Sequence, residues 1–476
     1  MADIIKPDLC VIGAGACGLS LAMAARDRGA SVVLIDRGLE EAGDPVAGRL
    51  ARASLLASAA RAHAVRNAHS VGIDRAEPKP NFRIISELAA AQAAAVSPRA
   101  SPERLAALGI THIEGEPIFS ARNALSIGEV RVQARHYVLA TGARAVVPDI
   151  VGLDQIPYFT PDSILTNIRK LTHLVVIGGD ATALELAQAY RRLGSAVTLV
   201  PHGPLLAGFD RELVNILVGA LRDEGVAILE DADVATILPR NQGTGIALRH
   251  ADGSAENLDV SHVLVALGRQ PDLDAPWLTQ LNLRRDSVRP ERLRLNEYGQ
   301  TTNARISAIG GAAGEDRPQA AARQADIVLD RILLGRADRF DAASVPSVVA
   351  TEPTFAQVGQ LEPSRHLRAG QTILRSGLAE NDGARARGEA SGMAKLIVGR
   401  QGEIRGGTAI GPAAGEVAAM VALAMASKTP AADLAGLALP PASPAAVLAD
   451  LGRQARALRP LSLWTKRRMD LRRLLP

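Results

Sequence analysis

The sequence contains few of the residues on which thiol and metal chemistry depends. Only two cysteines occur among the 476 residues, Cys10 and Cys17, and no histidine follows His366. No cysteine or histidine spacing typical of a metal site is present. Aromatic residues make up 3% of the chain, so aliphatic and alanine side chains must fill its cores. These absences exclude a cysteine-based metal centre and favour a reducing, cytoplasmic compartment.

Long apolar runs and concentrated charge are also lacking. No apolar run reaches the roughly 18 residues of a membrane span, and no basic-then-apolar leader opens the chain. The net charge is only +4, with no internal basic stripe, which argues against nucleic-acid binding. The chain is 47% hydrophobic and 22% charged, as in a globular protein. Forty-three glycines are typical of an α/β protein with many tight strand–helix turns.

The first motif predicts a dinucleotide site near the beginning of the chain. An apolar strand over 8–12 precedes Gly13, Gly15 and Gly18 in GxGxxG spacing, and a helix follows. Gly13 makes the tight turn, Gly15 admits a pyrophosphate, and Gly18 lets the helix pack close to the strand. Asp36 ends the next strand, 23 residues after Gly13, where a carboxylate accepts ribose hydroxyls. The alternative is a Rossmann unit that binds nothing.

A second unit of the same kind begins near His173. A strand leads to Gly178-Gly179-Asp180, and a helix and another strand follow. Near residue 340 the pattern changes to segments typical of antiparallel strands, followed by a helix over 415–426. The sequence therefore predicts two tandem nucleotide-binding units and a distinct third region.

Several segments, in order and over nearly the whole chain, resemble the class I pyridine nucleotide–disulfide oxidoreductases. The branch of mercuric reductase and dihydrolipoamide dehydrogenase is the most similar. The segments are Cys10–Gly18, Tyr137–Arg144 with Pro148 and Gly152-Leu153, His173–Val200, Val263–Pro271, Ile306–Gly310, Ser347–Leu361 and Ala409–Glu416.

The resemblance implies an α/β fold with two Rossmann-like domains, of FAD and NAD(P) type, and an α+β dimerisation domain. We expect the two parts of the FAD domain at 1–160 and 272–340, and the NAD(P)-like domain at 161–271. The dimerisation domain is expected at 341–452 and a basic amphipathic segment at 453–476. The resemblance also implies a homodimer.

The family's redox groups are absent. In the resemblance, its two cysteines correspond to Pro45 and Arg49. The segment of its catalytic His–Glu pair corresponds to Pro440 through Ala445. No imidazole is therefore available to keep a thiol pair reactive. We expect Cys10 and Cys17 to be small packing residues, and no catalytic residue is assigned.

The FAD positions are largely kept. Matching the family motifs assigns cofactor contacts to Gly13, Gly15, Gly18, Asp36, Thr141, Gly142 and Gly310. The family's acid for the ribityl chain is replaced by Gly311. Losing one such contact costs on the order of 1.5–3 kcal/mol, so we expect weaker FAD binding but not its loss.

The nicotinamide site departs further from the family. Asp180 replaces the second glycine and Ala183 the third, while Gly178 is kept. A carboxylate about 4 Å from a phosphate is repelled by roughly 4 kcal/mol at an effective dielectric of 20. We therefore expect an empty or damaged NAD(P)H site.

Glu185 in this unit matches a glutamate that pairs with a lysine near the flavin in the family. The lysine position corresponds to Ala53, and Arg49 or Arg52 could supply the charge. Alternatively, Glu185 faces solvent or a neighbouring helix.

Two functions follow. The chain is an FAD-dependent oxidoreductase without a disulfide relay, its electron donor and acceptor unassigned, or a catalytically silent relative that binds a partner. The last residues place Leu461, Trp464, Leu471 and Leu475 near one helical face with charges largely opposite. This pattern suits weak contact with a membrane surface or packing on the protein itself.

Overall fold

A computed structural model describes residues 4–37, 45–96, 101–119, 124–336, 339–362, 370–440, 442–458 and 463–473. Contacts between Cα atoms divide the chain into two compact units. The first comprises Met1–Asn67, Ala76–Ala207 and Arg222–Ala342, and the second Ala68–Arg75, Gly208–Leu221 and Ala343–Pro476.

The first third of the chain alternates strands and helices, with a helical hairpin (α2 and α3) between β3 and β4. Its elements are β1 Ile4–Ile5, β2 Leu9–Ile12, α1 Ala16–Asp27, β3 Val32–Asp36, α2 Pro45–Arg66, α3 Phe82–Val96, α4 Pro102–Ala107, β4 Ile110–Glu114, β5 Ile118–Phe119, β6 Leu125–Ile127, β7 Val130–Val132, β8 His136–Leu139 and β9 Ala143–Ala145.

The middle third contains the second strand–helix–strand unit. Its elements are β10 His173–Ile177, α5 Ala181–Arg192, β11 Ala196–Val200, α6 Arg211–Asp223, β12 Ala227–Ile228, β13 Ala232–Pro239, β14 Thr244–His250, β15 Ala255–Val260, β16 His262–Val265, β17 Arg269–Pro271, α7 Pro276–Gln280, β18 Ile306–Ala308 and α8 Pro318–Leu334.

The remaining elements belong to the second unit. They are β19 Ser347–Val349, β20 Phe355–Gly359, β21 Thr372–Gly377, α9 Asp382–Ala386, β22 Met393–Val398, β23 Ile404–Ile410, α10 Ala414–Ala426, α11 Val447–Ala457 and α12 Leu463–Arg473. Helix α11 crosses the boundary that the sequence predicted between the dimerisation domain, ending at 452, and the basic segment, beginning at 453.

Two parallel sheets form the frame of the first unit. One has the order β18-β8-β2-β3-β4 and the other β12-β11-β10-β16. Strand β2 is apolar at every position because both of its faces are covered. Leu9 and Val11 pack on one side of the sheet, while Cys10 and Ile12 pack on the other. The parallel strands bring the turns after β2, β8 and β18 to one edge of the sheet.

The second unit is built on an antiparallel sheet of order β19-β20-β23-β22-β21. Helices α10 and α11 contribute apolar side chains to its core. Val417 and Val421 of α10 are buried there, whereas Leu423 is 70% exposed. This unit's own core therefore buries much of the apolar stretch 417–425 and leaves Leu423 exposed.

Among the described residues, no helix is both long and apolar enough to cross a membrane.

Candidate active site

The turn between β2 and α1 forms an open cradle at the edge of the first sheet. A Cβ at Gly13, whose φ is +109°, would overlap the carbonyl oxygen of Ala140, and one at Gly18 would overlap that of Gly13. Beside Gly15 there is open space, with nothing within 4 Å of an ideal Cβ. Gly15 caps α1 without a side chain. The terminus of α1 therefore has neither a side-chain cap nor atoms crowding Gly15, an arrangement suited to phosphate.

Asp36 ends β3 at the same edge and is 6% exposed. Its Oδ2 lies 3.2 Å from Nε2 of His112, on the neighbouring parallel strand β4. The sequence carries no signal for this contact, because the pairing of β3 with β4 joins residues 78 apart, such as Leu34 and His112.

The turns after β8 and β18 meet beside the cradle. The Thr141 hydroxyl donates to the carbonyl of Asp272 at 3.3 Å. The amide of Gly310 donates to Oε1 of Gln324 at 2.8 Å. An ideal Cβ at Gly311 would lie 2.6 Å from the carbonyl carbon of Gly142. The backbone of the opposite turn therefore fills the place of any side chain at 311, including that of an acid.

The second glycine turn differs from the first in being capped by its own carboxylate. At Gly178, φ is +140°, and a Cβ would overlap the carbonyl oxygen of Ala266. Asp180 is the N-cap of α5, and its Oδ1 accepts from the amide of Ala183 at 2.8 Å. Burial raises the pKa of Asp180, against the opposing effects of that hydrogen bond and of Arg52. A phosphate at this helix terminus would have to displace the Asp180 carboxylate.

The segment after β11 lies directly on this turn. An ideal Cβ at Gly179 would lie 3.1 Å from Cβ of Pro201 and 3.2 Å from Cδ2 of Leu205. The Gly179 carbonyl accepts from the amide of Leu206 at 2.7 Å. His202 points outward, 75% exposed, with Nδ1 3.9 Å from Asp233. The segment thus presents apolar atoms to the turn.

A part-buried ion pair joins α2 to α5. The Glu185 side chain is 4% exposed and forms an ion pair with Arg52, whose side chain is 36% exposed. Arg52 also donates to the hydroxyl of Thr182 at 3.2 Å. Between the two arginines considered from the sequence, the structure places Arg52 on Glu185.

Arg49, at the second family cysteine position, is exposed and influences Cys17 instead. Burial raises the pKa of the Cys17 thiol, and the charge of Arg49 partly offsets this rise. Cys10 is fully buried, and burial raises its pKa strongly. Pro45 begins α2, but its side chain lies outside the described residues.

The segment that matches the family's His–Glu pair presents no titratable side chain. Pro440 is exposed, and Ala445 is buried in a short 3-10 helix, Pro444–Ala446. The side-chain amide of Asn381 donates to the carbonyl of Ser443 at 2.8 Å.

One acidic cluster in the second unit has the geometry of a metal site. Carboxylate oxygens of Asp210, Glu212 and Glu362 lie within 4.8 Å of one another. The ammonium of Lys395, 3% exposed, already lies between them, at 2.9 Å from Asp210 and 2.6 Å from each glutamate. Although burial lowers the pKa of Lys395, these hydrogen bonds outweigh it and raise the pKa. The cluster is therefore satisfied by a cation of the chain itself.

Comparison with known proteins gives two family matches. Residues 7–325 match the pyridine nucleotide-disulphide oxidoreductase family, and residues 345–446 match the dimerisation domain of that family. The chain belongs to the pyridine nucleotide-disulphide oxidoreductases. The predicted resemblance and the α/β fold class are thereby confirmed. The family consists of FAD-dependent oxidoreductases.

Individual relatives cover most of the chain at low identity. A mercuric reductase of Streptomyces lividans is 29% identical over 362 residues, 75% of this chain and 76% of that protein. A dihydrolipoyl dehydrogenase of Geobacillus stearothermophilus is 25% identical over 440 residues, 90% and 92% of the two chains. The HOCl-induced flavoprotein disulfide reductase RclA of Escherichia coli has a similar fold, with a TM-score of 0.80 and 22% identity over 94% of this chain and 99% of that one.

Proposed function

We propose that this chain is an FAD-binding oxidoreductase that moves electrons without a disulfide relay. The observation that carries the proposal is the contrast between the two glycine turns. The first leaves the terminus of α1 uncapped beside open space at Gly15, while the second is closed by Asp180. A chain that leaves its first turn open to a dinucleotide and closes its second turn fits a flavoprotein that has lost its nicotinamide site.

The residues around the first turn fit FAD. Gly15 would admit its pyrophosphate, Gly13 and Gly18 would allow the tight turn and the close helix packing that form the cradle, and Asp36 would accept ribose hydroxyls. Thr141, Gly142 and Gly310 lie at the adjoining turns, where the family resemblance places further contacts. Bound FAD would supply reversible one- and two-electron chemistry; the protein would supply binding, orientation and exclusion of water.

A thiol relay finds no support in the chain. Cys10 is inaccessible and is held protonated by burial. Cys17 lies in the cradle expected to hold phosphates, away from the reactive end of a dinucleotide. The proposed activity therefore uses direct transfer between FAD and its electron donor and acceptor.

Arg52 and Glu185 are proposed to take the place of the family's lysine–glutamate pair. The pair is buried on the Glu185 side and joins the helix after the missing cysteines to the helix of the second turn. Its fixed positive charge would favour a reduced, anionic flavin nearby, a role suited to a guanidinium that stays charged.

The alternative is a catalytically silent member that binds a partner. Asp180 favours it, because a capped and buried α5 terminus removes the family's electron donor site. A chain that bound neither an electron donor nor FAD would keep only the fold of the family and its surfaces for binding a partner.

The visible spectrum of the purified chain tests the proposal. We expect a flavin spectrum that Gly15→Val abolishes, because the new side chain enters the space meant for pyrophosphate. Gly219→Val is the matched control, since that helical glycine also has nothing within 4 Å of its Cβ. Colourless wild type that takes up no added FAD would favour the silent alternative, whereas equal flavin content in the two variants would contradict the assignment of the pyrophosphate to Gly15.

We also infer that the chain forms a homodimer through its dimerisation domain. The inference rests on the family match over 345–446. Leu423, exposed on α10 within that domain, is a candidate contact.

A further inference from the structure

The net charge of this protein is concentrated in one short helix. Five of the chain's 54 lysines and arginines, but only one of its 50 acidic residues, lie in α12, Leu463–Arg473. The rest of the chain therefore carries 49 cationic and 49 acidic side chains. A formally neutral body with a helix of charge +4 points to an electrostatic role for the helix itself.

The helix also exposes apolar side chains. Trp464 is 82% exposed, Leu471 63% and Met469 42%. Each described side chain of α12 is exposed, so its packing on the protein itself finds no support among the described residues. A large aromatic side chain left in water is uncommon and suggests a partner that covers it.

The arrangement of charge differs from the sequence expectation. Trp464 and Leu471, seven residues apart, lie on one face of the helix. Arg467 and Arg468 lie about 50° to either side of this stripe, given about 100° per residue, and not opposite it. Such arginines suit an interface, because their stems can lie along apolar chains while the guanidinium groups reach the headgroups.

The short length of α12 is independent evidence that the helix binds a partner surface. An isolated helix shorter than about 12–15 residues is marginal in water, and α12 has 11 residues. A partner that binds the helix would supply the missing stability.

We propose that α12 binds the surface of an anionic lipid bilayer. Trp464 and Leu471 would enter the headgroup region, and the surrounding cations would meet acidic lipids. Nucleic acid would engage the charges but leave the apolar stripe in water, so the lipid surface accounts for both features. The proposal does not depend on the oxidoreductase function.

Co-sedimentation of the full chain with vesicles tests it. Phosphatidylcholine vesicles are compared with vesicles that also contain phosphatidylglycerol. We expect binding only to the anionic vesicles, and weaker binding as salt rises. Each basic residue contributes about fivefold to partitioning, so changing Arg467, Arg468, Arg472 and Arg473 to Gln should lower it by more than about a hundredfold.

A matched control changes four exposed arginines elsewhere, Arg75, Arg83, Arg289 and Arg400, to Gln. It has the same net charge and should bind like the wild type. Trp464→Ala with Leu471→Ala should also weaken binding. Equal weakening in both arginine variants would overturn the proposal, as would equal binding to neutral vesicles. Binding to DNA or RNA without binding to anionic vesicles would also overturn it, by assigning the helix to nucleic acid.

Discussion

Replacing Asp180 with glycine tests most directly whether this carboxylate is what closes the second glycine turn to a nucleotide. Asp180 accepts a hydrogen bond from the amide of Ala183, at the helix terminus where a pyrophosphate would bind. The substitution removes both the cap and the negative charge. We expect Asp180→Gly to bind NADH or NADPH more tightly than the wild type.

The size of the effect follows from the geometry. Because Asp180 Oδ1 lies 2.8 Å from the Ala183 amide, a phosphate oxygen on that amide would lie within about 4 Å of the carboxylate. The repulsion is then roughly 4 kcal/mol at an effective dielectric of 20, or about a thousandfold in affinity. The positive charge of Arg52 nearby offsets part of this repulsion, so we expect a gain of about tenfold to a thousandfold. The loss of the cap costs only a few tenths of a kcal/mol.

Anaerobic titration with NADH and NADPH, followed by nucleotide fluorescence, measures the change. Asp180→Asn is the matched control, because asparagine keeps the cap and the size but removes the charge. It should recover part of the gain. Saturation of the wild type at micromolar nucleotide would contradict a closed second turn, and so would a failure of both variants to bind more tightly.

The pH dependence provides a second check. Burial raises the pKa of Asp180 above its ordinary value of 3.8. A raised folded-state pKa means that the charged carboxyl costs stability at neutral pH, and that this cost disappears as pH falls through the folded pKa. Asp180→Asn should therefore be at least as stable as the wild type at neutral pH and lose this advantage toward pH 3.8. Thermal unfolding across this range measures the difference.

Further predictions concern the ion pair, the missing relay and assembly. Arg52→Met should lower the free energy of unfolding by about 2 kcal/mol, because it leaves the buried Glu185 carboxylate without the charge of Arg52. The partial exposure of Arg52 keeps this loss below that of a fully buried pair. Arg49→Met, an exposed change, should alter it by less than about 0.5 kcal/mol in the same urea titration. Steady-state assays should find no turnover of lipoamide, glutathione disulfide or mercuric ion at rates near 1 per second or above, and such turnover would contradict the lack of a relay. Sedimentation at micromolar concentration should give a dimer, and Leu423→Glu should weaken it; a wild-type monomer would count against the interface.

The first cradle was accessible from the sequence because its chemistry is local. The glycine spacing, the preceding apolar strand and the acid at the end of β3 lie within about thirty residues. Each of these features has one defined role in a dinucleotide-binding turn. The structure adds that the space beside Gly15 is open and that α1 has no side-chain cap.

Contacts between distant segments could not be predicted in this way. Arg49 and Arg52 were equivalent in sequence, and only the packing of α2 against α5 placed Arg52 on Glu185. The contact of His112 with Asp36 depends on strand order. The closure of position 311 depends on the meeting of two turns.

The sequence by itself determined the family, the strand–helix order and the absence of two redox groups, because residue identity and short spacing fix those properties. The tertiary structure decided which charge meets which carboxylate and which apolar stretch is already covered. It also decided that the described charged side chains of α12 are exposed to solvent, because burial and long-range contact arise only when separate segments pack together.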